Sequence, residues 1–365
     1  MNNNTVLNKF DIKFLLIGSL LLIAGFVGSL STKEVFFQAY FLGFTFVVGL
    51  PLGASFVMLI HYLTHGSWGF AIRKVGLAAQ RTFPLIALFI LPVFAGIKYI
   101  YPWTNPELVA QSHLLQHKAG YLSIPFFEIR AIFYIAVWII LSIYLERKSN
   151  ELLSDASDEG RTKMQLIGGL SMLAFVFTTT FAAFDWLMAL TPEWFSTIFG
   201  IFSIIGYALL AVTFMTAMSL RHVGMKKTQD MHDLGNLTLA LIMLWMYMAF
   251  SQFFIIWSGN LPEEIIWYLP RTQGGWVIVA WVLAITHFFI PFFVLINRTV
   301  KRSKTILFVL CLWIIGMRFL DSIWTVLPNF CASVSDISWL HFAIPVGLFC
   351  IWYAFFIKQL ETLKS

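Results

Sequence analysis

TILFVLCLWIIGMRFLDSIWTV, residues 305–326, decides the fold. At about 1.5 Å of rise per residue it is long enough, as a helix, to cross a hydrocarbon core of about 30 Å. It is apolar throughout except for Arg318 and Asp321 in its outer half. An ionisable group at that depth costs roughly 2.5–3.5 kcal/mol, so such residues mark either a structural ion pair or a polar route through the membrane.

Nine other stretches pass the same test of length and apolarity. They are 12–30, 35–62, 82–100, 125–145, 164–190, 194–220, 233–258, 275–297 and 339–359, beside 304–326 itself. Hydrophobic residues make up 59% of the chain, charged residues 12%, and the mean hydropathy is +0.81, which excludes a soluble domain. The expected architecture is an all-α polytopic membrane protein of about ten transmembrane helices. No loop exceeds roughly twenty residues, the length of 101–124 and 146–163, so soluble chemistry has to come from other subunits.

Lys and Arg set the orientation. With the N-terminus inside, eighteen of the 24 fall at inner ends, among them Lys9, Arg73, Arg147, Lys226, Arg298, Lys301 and Lys364. Only Lys33, Lys98, Lys118 and Arg271 fall at outer ends, while Arg130 and Arg318 lie within spans. This asymmetry places both termini in the cytoplasm. It also accounts for the net charge of +6 without a nucleic-acid partner. The first span reads as a retained anchor rather than a cleaved leader. Gly49, Pro51 and Gly53 interrupt the second span, as either a tolerated kink or a break opening carbonyls to a cavity. GSWGFAIRKVGLAAQR, 66–81, reads as an amphipathic stretch along the inner interface or a docking face. The outer segment 101–121 is expected to hold a short surface helix.

Ligand demands narrow the chemistry. Cys311, Cys331 and Cys350 are scattered, so neither an iron–sulfur cluster nor a zinc site is encoded. Of eight histidines only His287 lies near mid-membrane, which leaves no second axial ligand for a bis-histidine haem. His61/His65 and His113/His117 have i,i+4 spacing but no completing carboxylate. What remains is proton or quinone chemistry. Arg318 and Asp321, three apart on one helix, are expected to pair. Asp185, Glu128 and Arg130 reach similar outer depth, so five charges are expected to converge there. They either offset one another's burial or form an outer proton half-channel, with His287 as a middle step. His61, Thr45, Ser55, Ser171 and 178–180 are candidates for an inner path. In the outer loop NLPEEIIWYLPR, Glu263, Glu264 and Arg271 are docking candidates for a partner.

Five segments together carry a resemblance to a known family: LGASFVMLIHYLTHGSWG from Leu52, KAGYLSIPFFEIRAIFYIAVW from Lys118, FDWLMALTPEWFSTIFG from Phe184, SQFFIIWSGNLPEEIIWYLPR from Ser251, and THFFIPFF from Thr286. They resemble the ActF-type membrane subunit of alternative complex III, a bacterial quinol:cytochrome c oxidoreductase, within the NrfD/polysulfide-reductase-like superfamily. The resemblance covers spans two to nine. It implies two four-helix bundles, 35–190 and 194–326, flanked by helices 12–30 and 339–359. It further implies a place in the inner membrane beside an ActC-type sister, an iron–sulfur subunit and haem c subunits. Under this reading the chain binds no redox cofactor of its own and serves as scaffold or proton conductor. The alternatives are a quinone-binding anchor that completes the quinol site, and an autonomous secondary transporter.

Overall fold

A backbone in lipid must pair its own N–H and C=O groups, and a helix does so within one segment. The computed structural model describes residues 4–30, 32–152, 157–225 and 227–363, with side chains from Ile12 onward, and the described residues contain helices and no strand. Among the cations used for orientation, Lys226 and Lys364 lie outside the described residues, as does the side chain of Lys9.

The helices in chain order are α1 Asn4–Gly28, α2 Lys33–Thr64, α3 Ser67–Gln80, α4 Phe83–Phe89, α5 Ile124–Leu152, α6 Asp158–Trp186, α7 Phe199–Met218, α8 Thr228–Gly259, α9 Trp276–Ile296, α10 Lys304–Val326 and α11 Leu340–Thr362. Nine helical segments among the described residues are long and apolar enough to cross a membrane, and α1 adds the shorter apolar run Ile12–Gly28. The protein is therefore an all-α, multi-pass membrane protein.

Two helices form the centre. The most apolar stretches of α2 and α7 are 89% and 83% buried, against 28% for α8 and 17% for α9, so the latter two lie at the periphery. α2 packs on α3, α6, α7 and α11, and α7 packs on α6, α8 and α10. α1 lies along α11.

The Gly49-Pro51-Gly53 motif does not break α2, which runs continuously from Lys33 to Thr64. Its glycines instead permit contact with α7: a Cβ on Gly53 would sit 1.8 Å from the Tyr207 carbonyl oxygen. Close approach of this kind is how membrane helices gain packing energy where lipid supplies no hydrophobic drive.

The third span differs more from expectation. In place of one helix over 82–100 there are Phe83–Phe89, Leu91–Ala95 and Ile97–Ile100 in succession. Pro92 removes the donor that would bond the Leu88 carbonyl and Gly96 ends the second piece, which accounts for the breaks. The preceding α3 buries Ile72, Val75 and Ala79 and packs on α2, α5, α7, α8 and α11. Its contacts fall at inner ends: Gly76 meets Met58 and Met215, and Arg73 donates to Ser149 Oγ at 2.9 Å. Arg81, just after it, pairs with Glu146 of α5 and donates to Thr362 Oγ1 of α11. The outer segment holds two short helices, Pro106–Gln111 and His113–Lys118, capped by Asn105 and Ser112.

Candidate functional site

The membrane-embedded charges resolve into two pairs of different character, on different helices. Arg130, in the second turn of α5, meets Asp185 near the end of the antiparallel neighbour α6. Arg130 Nε donates to Asp185 Oδ2 at 2.7 Å and Nη2 to Oδ1 at 3.0 Å. Its Nη1 donates to the Tyr121 carbonyl at 2.9 Å, and Tyr134 OH donates to Asp185 Oδ2 at 2.9 Å. The rings of Tyr121 and Phe126 lie 3.8 and 4.4 Å from the guanidinium carbon. All three guanidinium nitrogens are engaged and both carboxylate oxygens accept, so the desolvation of the two charges is well compensated.

Arg318 and Asp321 form the expected i,i+3 pair on α10, through one hydrogen bond from Nη1 to Oδ2 at 2.6 Å. Both are buried, yet Arg318 Nε has no partner among the described residues. They border a cavity of about 30 Å3 together with Thr45 of α2, Ser203 and Tyr207 of α7, and Ser322 and Thr325 of α10. A polar cavity above about 10–15 Å3 can hold a water. Gly206 makes room for the guanidinium: a Cβ there would lie 2.4 Å from Arg318 Nη2.

His287 completes this second group. It is fully buried, neither ring nitrogen has a hydrogen-bond partner among the described residues, and its ring lies 4.2 Å from that of Trp245 on α8. Arg318 lies over the same indole, with its guanidinium carbon 5.9 Å from the ring centroid. His287 sits in a π-helical turn, Leu283–Phe289, within α9. Pro291 has no N–H to pair with the His287 carbonyl in an α-helix, and a wider turn relieves that mismatch. Two residues of α10 brace the turn through Thr286: Trp313 Nε1 donates to the Thr286 carbonyl at 2.9 Å, and the Thr286 hydroxyl meets Met317 Sδ at 3.0 Å.

Three expectations change. The five outer charges do not form one cluster, because no hydrogen bond or ion pair among the described residues joins the two pairs. Glu128 is half-buried and makes no ion pair among the described residues. Thr45 opens onto the Arg318 and Asp321 cavity rather than an inner path. Arg271 presents no docking surface, being 1% exposed. It donates to the carbonyls of Trp267 at 2.5 Å and Thr325 at 2.6 Å and lies 3.6 Å from the Trp267 ring. Burial pushes its guanidinium down to about 9, still protonated at neutral pH. The Thr325 carbonyl, near the end of α10, and the Trp267 carbonyl together explain why it turns inward. Glu263 remains exposed and Glu264 half-exposed.

His61 is enclosed by Tyr62, Trp68 and Phe70 at the inner end of α2. His65 follows as a left-handed cap at φ 52°, so the pair does not continue one helical face. Ser55 donates to the Pro51 carbonyl and lines a cavity of only about 10 Å3 with Gln80 and Ser142. Thr178 accepts from Trp138 and donates to the Ala174 carbonyl. His113 and His117 are exposed on the outer surface helix. Among the described residues no three His, Cys, Asp or Glu side chains gather as a metal site.

Sequence reading missed Tyr134, Tyr207, Trp245 and Gly206. Only Tyr134 carried a usable signal, standing four residues after Arg130 on the same helix. No protein-family model matches this chain, and no curated protein sequence matches it.

Proposed function

We propose that this chain is a membrane subunit of a quinol-oxidising respiratory complex of the alternative complex III type, and that Asp321 and His287 exchange protons within it while Arg318 tunes the carboxylate. The observation carrying the proton reading is the contrast between the two ion pairs. Arg130 engages all three guanidinium nitrogens and Asp185 both carboxylate oxygens, as a brace between α5 and α6 requires. Arg318 and Asp321 share one hydrogen bond beside a cavity large enough for water.

A carboxylate beside water can take up and release a proton, and the neighbouring guanidinium feels each change of charge. His287, across Trp245, offers two unengaged nitrogens for the next transfer. Passage between them needs water beside the indole or a swing of the imidazole, and the π-helical turn gives that backbone latitude.

The wider assignment rests on the five segments resembling ActF-type subunits. It places the chain in the bacterial inner membrane beside an ActC-type sister, with haem c and iron–sulfur clusters in partner subunits. Here the chain is scaffold and proton conductor, and quinol oxidation belongs to the assembly. The test is purification of the full chain, tagged at its C-terminus, from its native membrane. Haem c absorbance, an iron–sulfur signal and quinol oxidation should travel with it. Recovery as a lone protein that moves a solute across vesicles would replace the reading with a transporter.

A further inference from the structure

The cavity beside Asp321 and the buried His287 are joined by no hydrogen bond or ion pair among the described residues. Trp245 of α8 touches both. Phe202 and Arg318, which line the cavity, meet its indole: the Phe202 ring centroid lies 6.3 Å away, and the Arg318 guanidinium carbon lies 5.9 Å from the same ring. The imidazole of His287 meets it at 4.2 Å, and Trp245 itself is only 4% exposed.

This contact is short of hydrogen bonds. Trp245 Nε1, Arg318 Nε and both nitrogens of His287 are buried without a partner among the described residues. Indole and guanidinium N–H groups only donate, so a neutral imidazole supplies the one acceptor. The buried indoles of Trp103, Trp186, Trp194 and Trp324 also lack a partner, but among the described residues none of them meets an imidazole ring. The indole and imidazole planes of Trp245 and His287 cross at 47°, between stacking and edge-on. A modest turn of the indole therefore chooses between two contacts. With the imidazole neutral, Nε1–H can donate to its free nitrogen; with the imidazole protonated, no acceptor remains and the cation sits best over the indole face.

Resting on the proton reading of Asp321 and His287, we infer that Trp245 is the gate between them. While His287 is neutral, the indole ring separates it from the cavity and its N–H holds the acceptor nitrogen. When the indole turns aside, cavity water reaches that nitrogen. The O–H bond of the Asp321 carboxylic acid then breaks, one proton crosses the water, and a new N–H bond forms on His287. The products are a carboxylate and an imidazolium, and the indole keeps its own proton. Arg318 stays beside the carboxylate it already bonds. Once the imidazolium passes its proton on, the indole N–H closes on the freed nitrogen, and no further proton crosses until the gate turns again.

The test uses the co-purified complex in sealed vesicles, with a pH gradient imposed and no quinol, and follows proton leak with an enclosed pH dye. The unaltered complex should leak little. Trp245→Ala removes the ring and Trp245→Phe removes the N–H; both should leak several-fold faster in a normally assembled complex. Adding Asp321→Asn to either should return the leak to the parent level, which a mere packing defect would not do. Trp245→Leu carries the same readings if the alanine variant does not assemble. Leak at the parent level in the assembled alanine or leucine variant would overturn the gate, and so would leak that persists with Asp321→Asn. Leak at the parent level in Trp245→Phe would overturn the role given to the N–H and with it the inference. An unaltered complex that moves no protons during quinol oxidation, with the variants leaking as stated, would instead sink the coupled function and leave the gate standing.

Discussion

At the residue scale, hydrogen-bond completeness separates two ion pairs that look alike in sequence. Removing one partner of a filled, buried pair leaves an uncompensated charge, which costs about 3–5 kcal/mol. Asp185→Asn should therefore lower the unfolding midpoint of the purified protein sharply, through the loss to Arg130. Tyr134→Phe removes one hydrogen bond to the same carboxylate and should cost about 1–2 kcal/mol by the same measurement. Gly206→Ala acts on the other pair: its methyl would lie 2.4 Å from Arg318 Nη2 and press the guanidinium aside. Proton transfer should fall while the protein still assembles, and an unaffected rate would show that the guanidinium position does not matter. These roles were only partly legible. Spacing alone predicted the Arg318 and Asp321 pair, because i and i+3 share a helical face. The partnership of Arg130 with Asp185 depends on which face of α5 meets α6, and nothing local in either segment fixes that. Arg271 misled for a similar reason: it stands in a polar loop sequence, but one of the two carbonyls that draw it inward, that of Thr325, belongs to a helix more than fifty residues away.

At the element scale, the apolar runs located the helices and not their interruptions. α2 was the test: Gly49, Pro51 and Gly53 read as either a tolerated kink or a break, while the folded chain runs on through them and uses the glycines for contact with α7. Whether a glycine in a membrane helix loosens it or lets a neighbour close in depends on the neighbour. Gly53→Ala should force α2 and α7 apart, costing about 1–3 kcal/mol or more as overpacking, and reduce the yield of folded protein in detergent. If Gly53→Ala is as stable as the parent, the contact is not what holds the central pair together. The π-helical turn at Leu283–Phe289 was invisible in composition, although Pro291, which favours it, was plain. Trp313→Phe removes the indole donor to the Thr286 carbonyl. It should loosen this turn and raise amide exchange there without altering exchange in α6.

At the scale of the whole molecule, the central pair α2 and α7 carries the burial, and the second polar group forms where α7, α8, α9 and α10 meet. The central claim is that Asp321, not Asp185, exchanges protons. Its most direct test is proton release measured during quinol oxidation by the co-purified complex in sealed vesicles, comparing the parent with Asp321→Asn. The account predicts that Asp321→Asn abolishes proton translocation by this subunit's route while electron transfer continues. Translocation equal to that of the parent, in a normally assembled complex, would contradict it.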